Sequence, residues 1–138
     1  MKPVAALKKW QSRLRLADWQ IAVSNLEPDP DDRSTVNMDV RVRSAVIRLR
    51  SDTPPSQVER QVLHELLHIL LSGMEDAYRA AKDYTPKAWD DPGDIVWSRG
   101  AEFAIEALTD ALTGTERCEW GPVGDPWKDA YPVEEALA

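Results

Sequence analysis

The chain has 138 residues and a formal net charge of −7, which leaves room for one domain with a single core and gives no basic excess of the kind that nucleic-acid phosphates demand. Its one cysteine, Cys118, excludes an internal disulfide and a cysteine-based zinc ribbon. No apolar run is long enough for a membrane span, and residues 1–16 are too basic and too amphipathic to read as a signal peptide, so a soluble protein of a reducing, cytoplasmic compartment is expected.

Residues 3–16 carry Val4, Leu7, Trp10 or Gln11, and Leu14 at helical spacing, with Lys8, Lys9, Arg13 and Arg15 outside. A packing helix is predicted there. Residues 18–26 come next, with Trp19, Ile21 and Val23 alternating against Gln20 and Ala22, the period of a strand. Pro28 and Pro30 among acids then mark a turn. From Thr35, Val36, Met38, Val40 and Val42 share one face, but after Ser44 the inward set becomes Ala45, Ile47 and Leu49. A one-residue slip of this kind predicts a turn or bulge at 41–44 that divides the region into two strands. Together these segments predict an α+β domain with a three-stranded, mostly antiparallel sheet. Arg41, Arg43, Arg48 and Arg50 are read as a solvated strand face that discourages edge aggregation rather than as a nucleic-acid patch.

The segment 54–73, PPSQVERQVLHELLHILLSG, reads as a helix buried through the middle of the domain, with apolar residues on most of its surface. Ser56 and Glu59 have the spacing of a capping box, Thr53 is an alternative cap, and Gly73 is the expected stop. A narrow strip of His64, Glu65 and His68 interrupts the apolar surface, and such a strip is costly to bury without partners. Four residues apart on a helix, the two imidazoles are neighbours and can grip one metal ion. Glu65 stands beside them, where a carboxylate can take a proton from a metal-activated water. They are the only two histidines in the chain.

Residues 74–95 form the least regular stretch, with a short helix readable over 77–82 and a length suited to a lid or cover. A further helix is predicted from Asp94 or Ser98 to Leu112, its apolar face made by Ala101, Ala104, Ile105, Leu108, Ala111 and Leu112. Glu102 lies nearer the border of that face than Glu106 and is the better placed to point inward toward a buried metal; Gly114 ends the helix. The segment 116–138 reads as an extended wrap anchored by Trp120, Trp127 and Tyr131.

On the H-E-L-L-H helix and the subsequent E-x-x-I-E-x-L-x-x-A-L helix, the region 19–112 resembles the small gluzincin-type zinc metallopeptidases. That group includes compact phage- and prophage-type proteins and peptidase domains of the ImmA/IrrE kind. The resemblance implies a zincin-like domain and a third ligand from the second helix, which falls on Glu102, with Glu106 as the alternative ligand or else a solvated carboxylate. It implies a Zn²⁺ cofactor held by His64, His68 and Glu102, with Glu65 as general base, and a protein or peptide substrate. Many gluzincins add a side chain that stabilises the oxyanion, and Tyr78, Tyr84, Arg99 and Tyr131 are candidates. Metzincins fit less well, since Leu71 stands where their glycine belongs and no third histidine exists; SprT-like proteins have a histidine and a cysteine-rich ribbon that are missing here. The expected activity is zinc-dependent peptide-bond hydrolysis, with a peptide adding as a strand beside residues 45–49, expected at the sheet edge. The alternative is a metal-binding regulatory or interaction module of a phage or mobile element without proteolysis.

Overall fold

A computed structural model describes residues 1–82 and 90–114, with side chains undescribed at 82–96 and at 98. The segments 83–89 and 115–138, and with them part of the expected lid and the expected C-terminal wrap, lie outside the described residues.

The architecture is α+β. Helix α1 (Pro3–Arg13) starts with its proline in the first turn, where no N–H is needed, and ends on Arg13, whose charge suits a helix C-terminus. It buries Ala6, Leu7 and Trp10, whereas Val4 is exposed. The chain turns out of α1 through Arg15, at φ 56°. The side chain of Gln11 steadies that turn by donating to the carbonyls of Leu16 and Trp19.

Strands β1 (Gln20–Ser24), β2 (Ser34–Asp39) and β3 (Ser44–Leu49) form one sheet in the order β1-β3-β2. The phase change seen in the sequence is the β2–β3 hairpin, with Asp39 paired to Ser44 and a four-residue connection whose last member, Arg43, sits at φ 52°. Val40 and Val42 therefore leave the inward set and are exposed in the turn. Two expectations are corrected. The sheet is mixed, because β1 pairs with β3 in parallel and only β2 with β3 is antiparallel. The strand expected at the edge, 45–49, is the central one, which is why Ala45 and Ile47 are buried. Among the described residues the sheet edge beside the long helix belongs to β2 instead. Three of the four arginines of this region sit beside acids, Arg41 with Asp39, Arg43 with Asp18 and Arg50 with Asp52, whereas Arg48, within β3, is half-buried with its Nε out of solvent and does not belong to a solvated face.

Helix α2 (Pro55–Lys82) runs through the middle of the molecule, between α1 and the sheet on one side and α3 (Asp90–Thr113) on the other. Val62, Leu63, Leu66, Leu67 and Ile69 are buried against Ala6, Leu7, Trp10, Ala45, Ile47 and Ile105. The helix does not stop at Gly73. Among the described glycines only Gly114 takes the left-handed conformation that ends a helix. A glycine left inside a helix costs about 1 kcal/mol relative to alanine, offset here by good helix formers on both sides. The expected capping box is not formed either. Pro55 takes the first helical position, and the carboxylate of Glu59 instead accepts bonds from Lys9 and the Trp10 indole, fastening α1 to α2.

The buried face of α3 is not the apolar one. Ile105 and Thr109 are buried while Phe103, Leu108 and Leu112 are exposed, and the face turned to α2 carries Glu102, Glu106 and Asp110. No helix among the described residues is long and apolar enough to cross a membrane.

Candidate metal centre

Two ladders at i, i+4 spacing meet across the α2–α3 contact. On α2 they are Arg60, His64 and His68; on α3, running the opposite way, Glu102, Glu106 and Asp110. Glu102 reaches both histidines, with Oε1 at 2.9 Å from Nε2 of His68 and Oε2 at 3.4 Å from Nε2 of His64. One ligand atom from each of the three residues lies within 4.8 Å of the others. This spacing fits an ion of zinc's size, whose bonds to imidazole nitrogen and carboxylate oxygen are about 2.0–2.2 Å.

Glu106 does not join that group. Its Oε1 lies 2.9 Å from Nδ1 of His64, on the far side of the ring from the ligand atom, at contact distance but off the line of the N–H. A carboxylate there favours the proton on Nδ1 and leaves Nε2 free to bind metal. Glu106 is itself held by Arg60, whose Nη2 donates to Glu106 at 2.6 Å and to Asp110 at 2.5 Å from an almost wholly buried position. Glu65, 3% exposed, accepts from Ser34 Oγ.

The site opens into a cleft of about 750 Å³. Residues 32–38, on and before β2, form one wall, and the part of α2 from Gln61 to Arg79 forms the other. The run of α2 past Gly73 therefore builds cleft wall, bringing Glu75, Asp76 and Arg79 to it. Of the oxyanion candidates, Tyr78 stacks flat on Trp97 with ring centres 4.7 Å apart, and neither it nor Arg99 lines the cleft. Tyr84 and Tyr131 lie outside the described residues. Sequence reasoning passed over Arg60, Gln61 and Ser34. The first two could have been found as polar residues one turn before His64 and Glu65 in an otherwise apolar helix.

No protein-family model, curated protein or solved structure matches this chain.

Without metal, burial disfavours a charged His64, but Glu102 and Glu106 outweigh it and push the imidazole pKa up to about 10 from its ordinary 6.5. Burial likewise works against the ionised forms of Glu102 and Glu106; His64 and His68 overcome it at Glu102, and His64 with Arg60 at Glu106. Glu102 is held well below the usual carboxylate range and Glu106 falls to about 2. Burial raises Glu65, with His64, His68 and Ser34 opposing. A raised imidazole contributes stability that is complete below about pH 6.5 and lost as pH climbs through about 10. The depressed carboxylates contribute above their ordinary 4.5 and lose it on acidification. Metal-free protein should thus melt highest between about pH 4.5 and 6.5 and progressively lower toward pH 10. Metal ligation needs neutral His64 and releases its proton, so the gain in melting temperature on adding zinc should widen with pH over the same range. Calorimetry across pH checks both; a metal-free midpoint that stays level from pH 6.5 to 10 refutes the assignment.

Proposed function

We propose that the chain is a zinc-dependent peptidase with a small zincin-like domain of the gluzincin type. The observation that carries this reading is the convergence of the His64 and His68 Nε2 atoms on the carboxylate of Glu102, with Glu65 next to them in an open cleft. Among the described residues three groups converge there, and three protein ligands are the set that catalytic zinc sites use, with one position left for water or substrate. When bound, zinc supplies Lewis acidity toward a water and a scissile carbonyl. His64, His68 and Glu102 would hold it, with Arg60 and Glu106 fixing the ring of His64. Glu65 takes a proton on its carboxylate and passes it to the departing nitrogen. Its surroundings, which favour the protonated acid more than water does, suit a group that must carry a proton between two steps.

The edge of β2, unpaired among the described residues, lies along the cleft and offers backbone donors and acceptors to an extended peptide, in place of the central strand β3. The test is to load metal-free protein with zinc, expose it to a diverse peptide mixture and identify the products by mass spectrometry. Cleavage that a chelator stops and zinc restores is the expected result. Protein that takes up no zinc, or zinc-loaded protein that leaves the mixture intact, would sink the reading.

A further inference from the structure

Ser34 opens β2, on the wall of the cleft opposite α2. Its hydroxyl oxygen is 2.5 Å from Oε1 of Glu65 and 3.0 Å from Oε1 of Gln61. Gln61 and Glu65 are one helical turn apart on α2 and are 4% and 3% exposed. Among the described residues Ser34 is the only hydrogen-bond donor to Glu65.

A hydroxyl has one proton and cannot donate to two oxygens at once. The three groups are satisfied together when the Gln61 amide is turned over to present its nitrogen to Ser34 Oγ, an orientation of the same shape and size. Ser34 then donates to Glu65. In this chain Gln61 holds the serine, the serine holds Oε1 of Glu65, and the other carboxylate oxygen is left to turn toward the cleft.

We propose that Ser34, backed by Gln61, is a positioning residue that pins one oxygen of Glu65 and so reserves the other for the proton transferred in hydrolysis. The inference rests on the peptidase reading for its catalytic consequence, but the pinning itself is a property of the fold. A side chain held through one oxygen loses rotational freedom, and general-base catalysis depends on that geometry. Ser34 bonds Gln61 and Glu65 and none of the three candidate ligands, so its removal separates the placing of Glu65 from the holding of the ion.

The experiment compares wild type with Ser34→Ala and Ser34→Thr for zinc affinity and peptide turnover. It adds a double-mutant cycle of Ser34→Ala with Glu65→Leu, read by urea unfolding of metal-free protein. Ser34→Ala should bind zinc as wild type does and keep KM, while kcat falls by roughly tenfold or more. Threonine, which keeps the hydroxyl, should recover most of kcat. The cycle should show a coupling of at least about threefold in the unfolding equilibrium constant. Unchanged kcat in Ser34→Ala, no recovery with threonine, or additive effects in the cycle would each overturn the proposal. Coupling in the cycle together with a wild type that cleaves no peptide would reject the peptidase reading while upholding the pinning of Glu65.

Discussion

Changing Glu65 to glutamine is expected to leave zinc uptake unaltered and to lower peptide hydrolysis by about 10²–10⁴-fold, the usual contribution of a positioned general base. The amide is nearly the same size and can still accept a bond from Ser34, but it cannot take up a proton, and it removes a negative charge beside His64 and His68. Because Glu65 is buried with its pKa raised by that burial, the neutral amide should not destabilise the fold. Bound zinc measured by elemental analysis, alongside turnover of a cleaved peptide, gives the comparison. A variant that binds zinc and retains wild-type turnover would take Glu65 out of the chemistry and favour a metal-binding module.

Replacing Arg60 by leucine is expected to cost about 3 kcal/mol of stability in the metal-free protein, the low end of the loss seen when one partner is removed from a buried ion pair. Arg60 is 1% exposed and holds both Glu106 and Asp110. Without it two carboxylates one turn apart on α3 face each other with less compensation. The low end applies because both acids retain contact with solvent, at 23% and 41% exposure. Part of the cost is also recovered, since Nε and Nη1 of Arg60 are buried without hydrogen-bond partners. Glu106 then loses its anchor on the outer side of His64, so zinc should bind roughly 10–100-fold more weakly, the usual effect of removing the support of a ligand. Urea unfolding and zinc competition measure the two effects. A stability loss under about 1 kcal/mol would mean that the network contributes little more than an exposed surface pair does.

The centre of the site was more legible in the sequence than the frame around it, and the reasons are physical. His64, Glu65 and His68 come from helical spacing alone, which is local. Glu102 was reachable because it too sits on a helix whose phase can be read. The position of β3 was not legible: alternation shows which residues of a strand share a face but not which strand becomes its neighbour. The parallel pairing of Gln20 with Ser44 joins residues with a whole hairpin strand between them. The inward face of α3 was misread because periodicity favours burying Ala104 and Leu108, whereas Arg60, His64 and His68 offer cationic and polar partners to Glu102, Glu106 and Asp110. Gly73 was misread because glycine ends a helix only where the backbone turns left-handed, and it does so at Gly114 rather than there.

The two ladders that mesh between α2 and α3 would also tie metal capture to folding. Two of the three candidate ligands share one helix and remain neighbours whenever that helix is formed, whereas the third arrives only when α3 docks. That docking relies on Ile105, Thr109 and the stacking of Trp97 on Tyr78, with opposite charges supplying much of the remaining seam. An ion held by all three would act as a clasp, its binding energy shared between coordination and the attachment of α3.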